Sequence, residues 1–97
     1  MSFTNDIIQE VWEKGTVITN NNSNEWRKDQ CGAWIGRGLY GNRNSKYGWE
    51  IDHISAGDDD SLSNLRPLQW ENNTSKSDER LTCPVTASGT DNVKKTF

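Results

Sequence analysis

The chain has 97 residues, of which 31% are hydrophobic and five are tryptophan, so it can form one small domain (residues 1–97) but not two. Its formal net charge of −3 argues against nucleic-acid binding through overall positive charge, although a local basic face is compatible with that value. No stretch has the length of a membrane span and no signal peptide is recognisable, so we expect no membrane partner and a cytoplasmic location.

The first predicted element is a helix over about residues 4–14, because apolar side chains recur there on one helical face. These side chains are Ile7, Ile8, Val11 and Trp12. Thr4 or Asn5 can cap its first turn. We expect this helix to pack against the core and to carry no function.

Short extra strands and loops are predicted next. Residues 15–19 are a strand candidate, and residues 26–29 form either a helical turn or an extended segment. Residues 31–35 are predicted to be extended and buried, whereas residues 36–44 are rich in Gly, Arg and Asn and predict an exposed loop.

The two cysteines, Cys31 and Cys83, belong to no CxxC pair, so we expect no structural zinc. A disulfide between them is one interpretation. Two reduced thiols in a cytosolic protein is the interpretation that we favour.

The central segment, about residues 46–80, predicts a strand, a loop, a second strand and a helix. In the first strand, alternation puts Trp49, Ile51 and His53 on one side and Glu50 and Asp52 on the other. A second short strand over residues 65–68 follows a polar loop. The helix is predicted from Gln69 to about Arg80. After residue 81 we expect strand-like pieces and a polar tail, at about residues 82–97.

Three short motifs lie in this segment. They are Asp52-His53-Ile54, Asn64-Leu65-Arg66-Pro67-Leu68 and Asn73-Thr74-Ser75-Lys76. His53 is the only histidine, and an ordinary imidazole can accept a proton from water near neutral pH. Carboxylate and amide oxygens suit a hard divalent cation. In their order and residue types, the motifs resemble the HNH, or ββα-metal, nuclease family, over roughly residues 47–78.

The resemblance implies an α+β fold with a ββα-metal core, an N-terminal helix and short extra strands. It also implies a metal-dependent endonuclease that hydrolyses DNA phosphodiester bonds, with RNA left as an alternative substrate. In this family pattern His53 is the general base, Asp52 and Asn73 bind one Mg²⁺ (or Mn²⁺), and Asn64 is a structural residue of the loop. Double-strand cleavage would require a homodimer or two successive nicks.

Basic residues around the motifs are the predicted contacts to nucleic acid: Arg43, Lys46, Arg66 and Lys76. The alternative function is a catalytically weak or inactive module of the same fold that binds nucleic acid or protein. The acidic run Asp58-Asp59-Asp60 is interpreted as a solvated loop rather than as a second metal site.

Overall fold

The computed structural model of the chain describes residues 3–57, 59–77 and 79–95. This part of the chain forms a small α+β fold of two α-helices and three two-stranded antiparallel sheets. The helices are α1 (Asn5–Trp12) and α2 (Trp70–Thr74). The strands pair as β1 (Trp26–Lys28) with β2 (Trp34–Gly36), β3 (Trp49–His53) with β4 (Leu65–Gln69), and β5 (Val85–Ser88) with β6 (Asp91–Lys94). Two short 3₁₀ helices occupy Arg37–Leu39 and Leu62–Asn64.

The predicted N-terminal helix is confirmed as α1, although it ends at Trp12, two residues earlier than expected. Thr4 is its N-cap, and its hydroxyl oxygen accepts a hydrogen bond from the backbone N–H of Ile7 at 3.2 Å. The apolar face is buried as predicted, since Ile8, Val11 and Trp12 all belong to the core. The helix therefore contributes packing to the domain.

The core lies between α1 and the β3–β4 hairpin. Its buried cluster consists of Ile8, Val11, Trp12, Ile35, Trp49 and Leu65. The ring centroids of Trp12 and Trp49 are 5.4 Å apart, and those of Tyr40 and Trp49 are 5.0 Å apart. Large aromatic side chains thus supply much of the buried area that a short polar sequence otherwise lacks.

The strands β3 and β4 have the register that positions the predicted site. Asp52 lies opposite Arg66, and His53 lies opposite Leu65. Trp49 is fully buried on the side of the core, while Asp52 is buried on the opposite side of the strand. Both faces of β3 are therefore covered, and the buried carboxylate needs charged partners.

One early prediction is wrong, and one open alternative is decided. Residues 15–19 form no strand in the described structure; Thr16 makes a single bridge to Lys28, and Val17 is exposed. Residues 26–29 take the extended alternative, as β1.

The helix that begins after Gln69 is shorter than predicted and ends at Thr74 instead of near Arg80. The Gln69 side chain caps its start by accepting hydrogen bonds from the N–H groups of the second and third residues after it. Its sequence then runs through Asn, Asn, Thr and Ser, which are all weak helix formers. Lys76 consequently lies beyond the helix, not one helical turn along it.

The strand-like pieces predicted after residue 81 form the β5–β6 hairpin, which is bound to the rest of the fold by two buried asparagines. Asn92 accepts a hydrogen bond from the N–H of Trp34 at 2.7 Å and donates to the carbonyl oxygen of Trp34 at 2.8 Å. Asn72 pairs in the same way with the N–H and C=O of Val85, at 2.8 and 3.0 Å.

Cys31 and Cys83 form a disulfide, with 5.3 Å between their Cα atoms, so the expectation of reduced thiols is wrong. The bond joins the β1–β2 turn to the segment that precedes β5. In a domain with so few hydrophobic residues, such a cross-link supplements the core. No helix in the described part of the chain is long and apolar enough to cross a membrane.

Candidate active site

The predicted site residues lie on three consecutive elements. Asp52 and His53 are the last two residues of β3, Asn64 ends the 3₁₀ helix before β4, and Asn73 belongs to α2. The hairpin brings these elements together, but Asp52, His53 and Asn73 each contact different partners. The site therefore consists of three neighbouring sets of contacts.

The Asp52 carboxylate is 4% exposed and both of its oxygens are ion-paired. Arg66 Nε lies 2.7 Å from Oδ2, and Lys76 Nζ lies 2.5 Å from Oδ1. Lys76 Nζ also donates to the backbone carbonyl oxygen of His53 at 2.9 Å. Both cations were predicted to contact phosphate, and in this structure each contacts the carboxylate of Asp52.

The His53 imidazole faces away from the Asp52 carboxylate group. Its Nε2 lies 2.6 Å from Oδ1 of Asp60, and its ring centroid is 6.3 Å from that of Phe3. Nothing in the sequence pattern had assigned Asp60 a role beyond a solvated loop. Asp58, in the same acidic run, lies outside the described residues.

The Asn64 side chain binds the loop that connects β3 to β4. Its Nδ2 donates to the carbonyl oxygens of Ser55, at 3.2 Å, and Asp59, at 2.8 Å. Its Oδ1 accepts from the N–H of Ser55 at 2.9 Å. One buried amide thus ties the start of the loop to its far end.

Asn73 contacts Glu50, a carboxylate that the sequence-based site did not include. Asn73 Nδ2 donates to Glu50 Oε1 at 2.9 Å, and the Arg43 guanidinium donates to both Glu50 oxygens at 2.6 and 3.0 Å. Burial favours the protonated form of Glu50, but the hydrogen bonds from Arg43 and Asn73 outweigh it and lower the Glu50 pKa. Strand alternation, which puts Glu50 on the face of Asp52, was the signal that could have found it.

Two further basic residues of the predicted nucleic-acid surface also have acidic partners. Arg43 binds Glu50 while lying 5.8 Å from the centroid of the Trp70 ring, and Lys46 Nζ is 2.6 Å from Asp91 Oδ1. Both basic side chains are more than half exposed. The Lys46–Asp91 pair is exposed on both sides and can exchange partners at small cost, whereas Arg43 is bound through two nitrogens to a Glu50 carboxylate that is largely buried.

Asp29 supports the site from within the fold and was also missed by the sequence-based prediction. Its carboxylate, 3% exposed, accepts hydrogen bonds at 2.9–3.0 Å from the N–H groups of Cys31, Ala33 and Gln69 and from Asn72 Nδ2. Burial raises the Asp29 pKa, and these four donors oppose that shift. Asp29 thereby fixes the β1–β2 turn against the start of α2.

Oxygen donors of the types that suit a hard cation are present on β3 and α2: the carboxylates of Glu50 and Asp52 and the amide of Asn73, of which Glu50 and Asn73 are in direct contact. Within residues 3–57, 59–77 and 79–95, however, no group of three His, Cys, Asp or Glu side chains is arranged to hold a metal ion. Two cavities of about 320 Å³ open around Trp26, and no predicted site residue lines either of them.

Comparison with known proteins finds no family model, no curated protein and no solved structure that matches the chain. The resemblance to HNH nucleases therefore depends on the three motifs and their order, and it stays a prediction.

Proposed function

We propose that the chain is a metal-dependent endonuclease that hydrolyses DNA phosphodiester bonds on a ββα-metal core. One observation carries the proposal. An antiparallel hairpin is followed at once by a helix, with the only histidine at the end of the first strand and an asparagine-bound loop between the strands. This order of elements agrees with what the motifs alone imply.

In the proposed reaction, His53 takes a proton from the attacking water. Its side chain is about 30% exposed, so water can reach the ring from solvent. The hydrogen bond to Asp60 occupies Nε2, which leaves Nδ1 as the nitrogen able to accept the proton.

Asp52 and Asn73, with Glu50 beside them, are the residues that would hold the divalent cation. The donor types fit Mg²⁺ or Mn²⁺, which would neutralise charge on the scissile phosphate and stabilise the leaving oxygen. A divalent cation bound to Asp52 would compete with Lys76 and Arg66 for the carboxylate and would displace one of them from it. A side chain released in this way becomes a cation available to phosphate, which is the contact predicted for both residues from the sequence.

A second candidate is a nucleic-acid- or protein-binding module of the same fold without catalysis. The ion pairs of Asp52 favour it, because two cations already neutralise the carboxylate on which metal binding would depend.

Incubation with supercoiled plasmid distinguishes the two functions. We expect nicked or linear product with Mg²⁺ or Mn²⁺ and none with EDTA. The His53→Ala variant, purified identically, controls for contaminating nucleases. Cleavage that persists in EDTA or in the His53→Ala variant would reject the proposed metal-dependent mechanism. Binding of the plasmid without cleavage would reject the nuclease and favour the binding module.

A further inference from the structure

The imidazole of His53 hydrogen-bonds the carboxylate of Asp60, with 2.6 Å between Nε2 and Oδ1. Exposed ion pairs generally contribute little and sample many geometries. The His53–Asp60 pair differs from such pairs in two ways. Its side chains are only 30% and 32% exposed, and the loop that carries Asp60 is held by hydrogen bonds.

Asn64 provides that support. Its Nδ2 binds the carbonyl oxygen of Asp59, which belongs to the peptide group joining Asp59 to Asp60. The Asp59 carboxylate in turn accepts a hydrogen bond from the N–H of Ser61 at 2.9 Å. The backbone is thus held on both sides of Asp60, and the carboxylate is presented to the ring.

The chemistry of the pair determines where the proton sits. An ionised carboxylate can only accept hydrogen bonds, so the facing ring nitrogen must donate. In a neutral imidazole one nitrogen carries a proton and the other has a lone pair. A proton at Nε2 therefore leaves the lone pair at Nδ1.

We propose that Asp60 is a positioning residue that fixes His53 in the tautomer with its proton on Nε2 and leaves Nδ1 as the proton acceptor. The catalytic part of this inference depends on the proposed nuclease function, whereas the tautomer itself does not. Asn64 then acts on catalysis through Asp60, because it holds the loop that delivers the carboxylate.

Other groups near the ring do not account for such a preference. Phe3 offers an aromatic ring without a hydrogen-bonding atom, and Lys76 binds the His53 backbone carbonyl rather than the imidazole. The Asp59 carboxylate is directed to Ser61, and its hydrogen bonds there lower the Asp59 pKa. Among the described residues, Asp60 alone hydrogen-bonds the ring.

Because the chain has a single histidine, all imidazole signals in a ¹⁵N NMR spectrum of the full chain come from His53, and the test is direct. At a pH where an ordinary imidazole is neutral, we expect the proton on Nε2 to be visible and protected from exchange with water. Asp60→Ala should lose this protected proton and populate both tautomers. Asp60→Asn has an acceptor oxygen but also an NH2 group that can donate to Nε2, so it should restore the protected proton only in part.

Asp59→Asn is the matched control, because it removes the neighbouring charge, keeps an oxygen for Ser61 and should leave the ring spectrum unchanged. In the cleavage assay, Asp60→Ala should lower kcat by about 10–100-fold with little change in KM, as loss of a group that orients a functional histidine does. Circular dichroism confirms that each variant folds.

The outcomes separate the two proposals. A proton on Nδ1 in the native chain, or an unchanged spectrum in Asp60→Ala, overturns the positioning role whether or not the protein cleaves DNA. The expected spectra without any cleavage of DNA support the positioning role and reject the nuclease.

Discussion

Asp52 and Arg66 are directly opposed across the β3–β4 hairpin, and their side chains meet at 2.7 Å in a setting where both are largely buried. Cross-strand pairs of opposite charge stabilise a sheet locally, and this pair also neutralises the charge of a buried carboxylate. Without Arg66, the buried carboxylate would keep only Lys76 as a charged partner.

Arg66→Ala should therefore lower the free energy of unfolding by about 2–4 kcal/mol, since removing one partner of a buried ion pair leaves charge uncompensated. Urea denaturation measures this. Asp52→Asn in the same background should recover part of the loss. Arg80→Ala, at an exposed arginine, is the control, and equal effects of the two arginine variants would contradict the buried role of Arg66.

Glu50 predicts an acid-sensitive contribution to stability. Its pKa is lowered in the folded state, so its stabilising effect is complete above the ordinary carboxyl pKa and is lost as the pH falls through the lower folded value. Glu50→Gln should flatten the loss of Tm below about pH 4.5. Melting curves from pH 3 to 7 test this, with exposed Glu10→Gln as the control that should follow the native chain.

Asp29→Ala should be among the most destabilising substitutions, because it leaves four donors without their acceptor. Three of them are backbone N–H groups, and one of these belongs to Gln69 at the start of α2. We expect a loss of about 3–5 kcal/mol in the free energy of unfolding. Denaturation of Asp29→Ala and Asp29→Asn provides the measurement, and a native-like Asp29→Ala would show that water replaces the carboxylate.

The disulfide closes a sequence separation of 52 residues. Replacing both cysteines by serine should lower the free energy of unfolding by about 2–4 kcal/mol, chiefly because the unfolded chain gains freedom. A thiol reagent should find no reactive thiol in the unreduced, denatured protein. Two reactive thiols per chain would instead support the reduced pair that the sequence favoured.

His53→Ala should reduce cleavage by about 10²–10⁴-fold, which is the usual effect of losing a general base. DNA affinity and Tm should change little, since the ring packs at the end of a strand and is partly exposed. Added imidazole should restore part of the activity. Cleavage at the native rate would mean that another group deprotonates the water.

Regular patterns in the sequence were sufficient for much of the fold. The apolar face of α1 and the alternation in β3 are local signals, and both predicted elements form, as Asn5–Trp12 and Trp49–His53. The length of α2 was overestimated because the helix runs into weak helix formers at residues 72–75 and because Lys76, beyond its end, is held by a tertiary contact to Asp52.

The site was harder to predict for the same reason. Asn64 and Asp52 stand out by motif, but Asp29 and Asp60 act through contacts that depend on loop geometry. The disulfide likewise depends on two turns meeting in space, and spacing between cysteines could not reveal it.

The C-terminal hairpin has a consequence for the timing of folding. Residues 85–94 leave the ribosome after every residue of the candidate site, yet Val85 and Asn92 satisfy the buried polar atoms of Asn72 and Trp34. A nascent chain that ends before residue 85 leaves the polar atoms of Asn72 and Trp34 exposed to water. It also lacks Val85, which binds the Asn72 side chain of α2. The contacts of the candidate site with the rest of the fold are therefore complete only after the C-terminal hairpin has been synthesised.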